Sequence, residues 1–413
     1  MENPTVTLPV APDAKTVVTV QLQGQNDAEE APPVPKRRGS TFMSFVASIL
    51  GSKSPVTFPV DPLKNNVWLL DNTAYQSITD AGQSQWHAEV VACIFEKEGR
   101  KEIDKLVIEI ASYLGLDPSG QDTERTRQRI AHRVQPFLDF VSLGGSITLD
   151  VKVEKPQSHQ LGPSDRNGII TQTIELDGSN VVDGTVVQST LQSFHSNGPA
   201  MATRFAAPEG WIIISDIDDT IKHTMTMQPS GILRTTFVEE PVPIEGMPDF
   251  YQYVQKELHP AWFYLSASPY NLYPFLHKFL HENYCPGTLL LRDDYVLNIS
   301  GLIKVFTANT QQYKVGRMDK IHEWFPKRRV LAIGDSTQRD PEAYAEIYRR
   351  YPGWIHAICI RKVFDVANMD ENNKPERFEA AFKDVPDHAW TVFEDPKELY
   401  SFVDGLGMED LAL

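Results

Sequence analysis

The sequence predicts a multidomain protein of α and β structure, with a C-terminal doubly wound α/β domain preceded by a β-rich, sandwich-like domain. From residue 208 to 413, short apolar runs alternate with helical patterns, which is typical of a doubly wound sheet. Over residues 56–207, short runs with period-two alternation favour an antiparallel sandwich, and a helical insert interrupts them. Residues 1–40 are predicted to be a disordered Pro-rich arm, and residues 41–55 an amphipathic segment.

The composition is that of a soluble protein with an acidic balance. The 413 residues carry a formal net charge of -16, which argues against general nucleic-acid binding because no broad excess of Lys and Arg is available for phosphates. No apolar run approaches a membrane span, and the N-terminus lacks a signal-peptide pattern. We therefore expect a cytoplasmic protein with peripheral membrane contact. Cys93, Cys285 and Cys359 lie in apolar surroundings and are expected to be core thiols.

The Pro-rich arm contains a candidate partner motif. Pro32 and Pro35 have PxxP spacing and are followed by Arg37, a pattern that fits a polyproline segment on the aromatic groove of an SH3 domain. A stiff linker is the alternative interpretation, since PxxP is common by chance.

The amphipathic segment follows this arm directly. Phe42, Phe45, Val46 and Ile49 form one apolar stripe on a helix, and the basic run 36–38 lies just before it. This pattern suits an anionic membrane surface, and a helix packed on its own domain is the alternative interpretation.

The β-rich region is predicted from its alternating runs. Strands are expected at 87–96, 146–154, 168–176 and 184–194, and helices at 103–114 and 123–140. Residues 158–168 are expected to be a loop. The second helix has an outer face rich in arginine, consisting of Arg125, Arg127, Arg129 and Arg133.

The α/β domain is predicted from six strand patterns with helical patterns between them. The strands are expected at 211–215, 261–265, 288–291, 329–333, 354–360 and 390–393. The helices are expected at 248–258, 271–283, 311–325, 340–350 and 396–404. Asp395 or Glu394 is expected to cap the closing helix.

The stretch WIIISDIDDTIKHT, from Trp211 to Thr224, carries the strongest functional signal. Its apolar strand ends in carboxylates, and in open α/β sheets ligands bind beyond the carboxyl ends of the strands. Asp216 and Asp218 can point to the same side, and two such carboxylates repel unless one holds a proton or a cation lies between them. Mg²⁺ is the natural partner of such oxygen ligands. A solvated acidic turn is the alternative.

Polar residues also follow later strands. Ser266 ends the second strand pattern, where a hydroxyl near a helix start can hold a phosphoryl oxygen. Lys314 lies near the start of a helical pattern, and Asp335 and Asp340 follow the fourth strand. A lysine there could neutralise a phosphate and its nucleophile. Singly, each residue is explained by a helix cap, a solvated face or a turn; together, in this order, they are difficult to obtain by chance.

That order resembles the haloacid dehalogenase superfamily of phosphotransferases. DIDDT resembles its first motif, Ser266 its second, Lys314 its third and GDSTQRD its fourth. Within the superfamily, SDIDDTIKHT, YLSASPYNLY, KVGRMDKI and IGDSTQRDPEAY look like the fungal phosphatidate phosphatases of cortical actin patches, whose catalytic domain is similar to that of the lipins. The resemblance implies a Mg²⁺-dependent hydrolase that converts phosphatidate to diacylglycerol at cortical actin patches.

The resemblance also implies roles for the motif residues. Asp216 would be the nucleophile that forms an aspartyl-phosphate, and Asp218 the general acid and then the base that activates water. Mg²⁺ would be held by Asp216, the main-chain carbonyl of Asp218 and Asp335.

Other residues would bind the phosphoryl group. The resemblance implies that Thr220, Ser266 and Lys314 hold its oxygens, and that Asp340 orients Lys314 or a metal-bound water. Two assignments stay open at this point. Asp219 is expected to be a solvated residue rather than a metal ligand, and Lys320 on the same helix is the alternative to Lys314.

The connection after the first motif bears on the substrate. No cap domain fits into the segment 223–248, but an apolar flap with Met225, Met227, Ile232, Leu233 and Phe237 does. An open site with such a flap suits a phosphate presented on a bilayer. The same residues could instead pack on the domain. The other functional hypotheses are a phosphatase for a soluble or protein phosphate, and a non-catalytic lipid-binding or scaffold module.

Overall fold

The computed structural model describes residues 57–409, except 79–81, 98–102, 117–121, 179, 195–197, 294–295, 297–298, 365 and 368. The Pro-rich arm with Pro32, Pro35 and Arg37, and the amphipathic segment, therefore lie outside the described residues and stay predictions. Within the described part of the chain, no helix is both long and apolar enough to cross a membrane.

The β-rich half folds as one ten-stranded sheet. Its strands are β1 (Phe58–Pro59), β2 (Asn65–Leu69), β3 (Asn72–Ile78), β4 (Ser84–Glu96), β5 (Phe140–Val141), β6 (Gly145–Val151), β7 (Gln157–Leu161), β8 (Ile169–Leu176), β9 (Val186–Leu191) and β10 (Ala200–Phe205). The main strand order is β1-β6-β9-β10-β3-β4-β2, with β5 and β8 on β4 and β7 on β6.

Most strand pairs in this sheet are antiparallel, as the alternating patterns predicted. Two pairs are parallel, β1 with β6 and β10 with β3. The prediction of a loop at 158–168 is wrong for its first residues, because β7 pairs with β6 from Gln157 to Leu161. One apolar cluster fills this half, with Ala88, Val90 and Leu149 fully buried.

The helical insert comprises α1 (Ile103–Tyr113) and α2 (Asp122–Leu138). Of the predicted outer arginines, Arg125 and Arg127 are exposed. Arg129 and Arg133 are not, because Arg129 Nη1 donates to the main-chain oxygen of Val238 (2.6 Å) and Arg133 to that of Thr236 (3.2 Å). The expectation of a uniformly outward arginine face is therefore wrong.

The C-terminal half contains a six-stranded parallel sheet in the order β13-β12-β11-β14-β15-β16. The strands are β11 (Trp211–Asp216), β12 (Ala261–Pro269), β13 (Thr288–Arg292), β14 (Arg329–Asp335), β15 (Ile355–Arg361) and β16 (Trp390–Phe393). All six were predicted within a few residues. The chain moves outward from β11 to β13 and then returns to the other side of β11, so the strand order reverses between β11 and β14. Ligands of open α/β sheets bind at such a reversal.

Helices cover both faces of this sheet. They are α3 (Pro229–Leu233, continued by a π-helix over Arg234–Val238), α4 (Met247–Leu258), α5 (Tyr273–Asn283), α6 (Ile299–Thr307), α7 (Thr310–Trp324), α8 (Asp340–Arg350), α9 (Pro375–Ala381) and α10 (Tyr400–Glu409). Short 3₁₀ turns lie at Tyr270–Leu272, Asp387–Ala389 and Pro396–Leu399. The predicted cap is Asp395, which accepts from the main-chain N–H of Lys397.

Strand alternation explains the two covered faces. Ile212 and Ile214 pack in a cluster with α7 and α8, while Trp211 and Ile213 pack in a cluster with α4 and α5. The second cluster also contains Cys93 of β4 and residues of α1 and α2, so the two sheets share a continuous core. All three cysteines are free and buried, as expected.

Arg328 joins the two halves at the amino-terminal edge of the parallel sheet. Its guanidinium is buried, and it donates to the carbonyl oxygens of Ala207 (2.6 Å) and Trp211 (2.9 Å) and to the carboxylate of Asp183. A buried donor that satisfies several acceptors is costly to remove, because each acceptor loses its partner.

We expect Arg328→Met to lower the free energy of unfolding by about 2–4 kcal/mol in urea denaturation. Arg350→Met is the control, since Arg350 is 39% exposed in its ion pairs with Asp319 and Glu346 and should cost less than about 1 kcal/mol. Equal small losses in both variants would contradict the role assigned to Arg328.

Candidate active site

The carboxyl ends of β11 and β14 bring two aspartates together. Both strands are parallel neighbours, with Ser215 paired to Ile333, so each ends in a carboxylate at the same edge: Asp216 and Asp335. Thr220 lies between them, with Oγ1 3.0 Å from Asp216 Oδ2 and 2.9 Å from Asp335 Oδ2. Its single hydroxyl hydrogen serves one carboxylate at a time.

Lys314 reaches this pair from near the start of α7. Its Nζ lies 2.6 Å from Asp216 Oδ1 and also contacts Asp340 Oδ1. The helix begins there because Asn309 accepts from the main-chain N–H of Gln312 as an N-cap. Lys320, the alternative to Lys314, instead pairs with Glu89 at 2.5 Å. The structure therefore places Lys314 in the site and Lys320 outside it.

Asp340 links the lysine to the fourth motif. While Oδ1 contacts Lys314, Oδ2 accepts from the main-chain N–H of Asp335 at 3.1 Å. This approach requires Gly334, because a Cβ at that position would lie 2.5 Å from Asp340 Oδ2. One carboxylate oxygen each from Asp216, Asp335 and Asp340 lie within 4.8 Å of one another.

Asp218 lies beside this group, and its carboxylate is turned toward hydroxyl donors. Oδ1 accepts from Thr224 Oγ1 at 2.8 Å, and Oδ2 accepts from Ser266 Oγ at 2.7 Å. Ser266, predicted to hold a phosphoryl oxygen, comes from β12, the neighbour of β11. In this structure its hydroxyl contacts the second aspartate of the first motif.

Asp219 is not the solvated residue that the sequence suggested. It is 2% exposed and has a positive φ of 65°. Its Oδ1 accepts from the main-chain N–H groups of Thr224 (2.9 Å) and Met225 (2.7 Å), and its Oδ2 from the N–H and hydroxyl of Thr226 (2.7 Å each). The carboxylate therefore fixes the loop 224–226. In the sequence, Thr224 and Thr226 shortly after the motif were the signal that Asp219 could have hydrogen-bond partners in this loop.

Sequence reasoning also missed Lys222. This side chain is 1% exposed, and its Nζ lies 3.4 Å from Asp218 Oδ1 and contacts Thr224 Oγ1. A lysine four residues after an acid is not a signal by itself; only the burial of Lys222 identifies it, since lysine is almost never fully buried without a partner.

The charges of the site are unbalanced without a cation. Two buried lysines, Lys222 and Lys314, face a larger set of buried carboxylates, namely Asp216, Asp218, Asp219, Asp335 and Asp340. Excess negative charge in a buried site is stable only when protons or cations compensate for it.

The pKa values show the same imbalance. Burial raises the pKa of Asp216 well above its ordinary value, Lys314 opposes this rise, and the neighbouring carboxylates add to it. Burial and Asp340 raise the pKa of Asp335 to about 6. Burial alone would lower the pKa of Lys314, but Asp216 and Asp340 more than reverse this, so its pKa lies above the usual range. The donor set, all oxygen and net negative, fits a divalent cation.

The predicted apolar flap packs on the domain instead of standing free. Ile232, Leu233 and Phe237 are buried, and the Phe237 ring lies 5.7 Å from that of Phe137 on α2. The alternative interpretation, packing against the domain, therefore holds for these residues. Met227 alone among the five flap residues remains exposed, at 38%.

Comparisons with known proteins agree with this site. Residues 211–362 match a family model described as the catalytic domain of phosphatidate phosphatase APP1, and this segment contains Asp216, Asp218, Ser266, Lys314 and Asp335. Over 254 residues the chain is 28% identical to phosphatidate phosphatase APP1 of Saccharomyces cerevisiae, which covers 58% of this chain and 42% of that protein.

A second relative extends the comparison. The chain is 27% identical over 190 residues to an uncharacterized protein of Schizosaccharomyces pombe, covering 44% of this chain and 30% of that protein. The chain thus spans less than half the length of the curated relatives it matches. The predicted resemblance to the fungal phosphatidate phosphatases is confirmed, and the segment 211–362 is similar to their catalytic domain.

We expect Asp335→Asn to stabilise the protein in EDTA at pH 7.5 by about 1–3 kcal/mol. Because burial raises the pKa of Asp335 to about 6, the folded state binds its proton more tightly than the unfolded chain does. The ionised carboxylate therefore costs stability above about pH 6, and this cost disappears as the pH falls toward about 4. Asparagine removes the charge and still accepts from the N–H of Thr337.

Thermal unfolding measures this effect. Mg²⁺ should raise the Tm of the wild type more than that of Asp335→Asn, since the variant lacks a carboxylate ligand. The exposed Asp370 provides the control, as Asp370→Asn should change neither value appreciably. A variant less stable than the wild type in EDTA would contradict the charge imbalance.

Proposed function

We propose that this chain is a Mg²⁺-dependent phosphatidate phosphatase with a haloacid-dehalogenase-like catalytic domain, and that it hydrolyses phosphatidate to diacylglycerol and phosphate. The observation that carries the proposal is the convergence of Asp216, Asp218, Ser266, Lys314 and Asp335 at one sheet edge, within a segment similar to a phosphatidate phosphatase catalytic domain. From the resemblance of its motifs to the fungal phosphatidate phosphatases of cortical actin patches, we infer peripheral contact with membranes at those sites.

In the first half of the proposed reaction, the Asp216 carboxylate attacks phosphorus. A new bond forms between its oxygen and phosphorus while the bond from phosphorus to the diacylglycerol oxygen breaks. Asp218, protonated, gives its proton to that leaving oxygen. Lys314, 2.6 Å from Asp216 Oδ1, favours the ionised form of the nucleophile against the effect of burial and then faces the phosphoryl oxygens.

In the second half, Asp218 takes a proton from water. The water oxygen bonds to phosphorus, and the bond to Asp216 breaks, which releases phosphate and restores the Asp216 carboxylate and the protonated Asp218. Thr220 and Ser266 donate to the phosphoryl oxygens. Asp216, Asp335 and the main-chain carbonyl of Asp218 would hold Mg²⁺, which supplies positive charge that offsets the charge on the phosphoryl group.

Exposed apolar side chains near the site favour a lipid substrate. The main-chain N–H of Thr337 donates a hydrogen bond to Asp335, and the Thr337 carbonyl oxygen accepts one from the Asn372 side chain. The same Asn372 side chain also contacts Met227. Phe364 follows Val363, whose N–H donates to Ser336 beside Asp335. Met227 and Phe364 are 38% and 57% exposed, so each places a large apolar group at the surface next to residues linked to Asp335.

We expect Asp216→Asn and Asp218→Asn each to lower phosphate release from phosphatidate in mixed micelles by at least about 100-fold. The first variant lacks the nucleophile and the second the proton donor. EDTA should abolish wild-type activity and Mg²⁺ restore it. Hydrolysis of a soluble aryl phosphate without phosphatidate turnover would retain the chemistry and reject the lipid substrate.

We expect Met227→Asp combined with Phe364→Asp to lower activity on micellar phosphatidate by about tenfold or more, because burial of one such side chain in an apolar phase is worth about 1.5–3 kcal/mol. Activity on a soluble aryl phosphate should change little. Val182→Asp is the control, as Val182 is 69% exposed. Val182 lies far from the candidate site, because the next residue, Asp183, binds Arg328 at the opposite edge of the parallel sheet. Equal losses of activity on both substrates would reject a lipid-binding role for Met227 and Phe364.

A further inference from the structure

The two oxygens of the Asp218 carboxylate have different partners. Oδ1 accepts from Thr224 Oγ1 at 2.8 Å and lies 3.4 Å from Lys222 Nζ. Oδ2 accepts from Ser266 Oγ at 2.7 Å and lies 3.4 Å from Ser268 Oγ. The carboxylate is thus held from two sides, by the loop that follows the first motif and by the end of β12.

The partner of Oδ2 is replaceable. Ser266 has one hydroxyl hydrogen, and in the proposed reaction that hydrogen is donated to a phosphoryl oxygen. When the phosphate binds, Asp218 Oδ2 loses its closest donor and becomes free to carry a proton.

The partners of Oδ1 are fixed by their own surroundings. Thr224 is fully buried, and its main-chain N–H is held by Asp219 Oδ1 at 2.9 Å. Lys222 lies in a tight loop that closes on the same strand end, since its N–H donates to the carbonyl of Ile217 and its carbonyl accepts from the N–H of Asp219. The Lys222 ammonium also lies over the ring of Phe275, 5.8 Å from its centre.

We propose that Lys222 and Thr224 are positioning residues that hold Asp218 Oδ1, so that Oδ2 is the oxygen that transfers the proton to the leaving group. This inference rests on the proposed function. As the bond from phosphorus to the alcohol oxygen breaks, the proton moves from Asp218 Oδ2 to that oxygen, and the negative charge left on the carboxylate is stabilised at Oδ1 by the ammonium and the hydroxyl.

Leaving-group chemistry tests this role. An alkyl phosphate expels a strongly basic alkoxide unless an acid protonates it, whereas an aryl phosphate with an acidic phenol departs without that help. A residue that acts through the proton of Asp218 should therefore affect alkyl substrates selectively. The ratio of kcat/KM for the two substrates is the readout, because kcat/KM reports the steps up to the first departure of alcohol.

Lys222→Met keeps most of the length of the side chain and removes its charge, and Thr224→Val removes the hydroxyl. We expect each variant to lower kcat/KM for phosphatidate by about 10- to 100-fold, which is part of the rate enhancement that a general acid contributes. We expect each variant to lower kcat/KM for p-nitrophenyl phosphate by less than about threefold. Thr224→Ser, which restores the hydroxyl, should recover most of the alkyl activity.

Thr235→Val is the matched control. The Thr235 hydroxyl is also buried and donates to the carbonyl oxygens of Thr224 (3.0 Å) and Gly231 (2.9 Å), without touching Asp218. Its loss should leave the alkyl-to-aryl ratio unchanged. If Lys222→Met does not fold, the Thr224 pair still tests the proposal. Equal losses on both substrates, or no loss, would overturn it.

Failure of this inference is distinguishable from failure of the proposed function. Asp218→Asn should itself show the alkyl-selective loss, and if it does while the Lys222 and Thr224 variants do not, only the positioning role is rejected. If phosphatidate is not a substrate, glycerol 3-phosphate serves as the alkyl phosphate, and the ratio has the same meaning. An Asp218→Asn variant without the selective loss would reject the acid role and the inference together.

Discussion

The ion pair between Lys314 and Asp216, extended to Asp340, is the interaction on which the catalytic edge depends. Its three groups come from α7, β11 and the start of α8, and all are buried. Breaking such a pair would leave a buried charge without a partner, which is among the most costly changes in a protein interior. The ion pair therefore fixes how two helices meet the strand that carries Asp216.

Around this pair, buried negative charge lowers the stability of the folded protein. Carboxylates accumulate where the strand order reverses, and burial raises the pKa values of Asp216 and Asp335. The same excess of negative charge that costs stability makes the site suitable for a divalent cation. In the proposed reaction, a phosphoryl group, which is also negative, would approach a site whose charge the cation and Lys314 offset.

The β-rich half contributes to the site indirectly. Arg129 and Arg133 of α2 donate to main-chain carbonyl oxygens at the end of the π-helical segment Arg234–Val238. Carbonyl groups at the end of a helix have no partner within the helix, so these arginines supply one. That segment continues from the loop that Asp219 anchors. The insert in the first half thus supports the segment that follows the loop holding Asp218, and residues of the insert also belong to the core that the two sheets share.

The sequence by itself determined the strand ends and the polar residues at them, because strand and helix periodicities are local and the motifs for Asp216, Ser266, Lys314 and Asp335 follow in order. Only the tertiary structure decided the burial of Asp219 and the contact of Lys222 with Asp218. These depend on a left-handed turn after the motif and on side chains converging from separate segments. Periodicity describes which face a residue occupies, but the partners on that face are set by packing between elements.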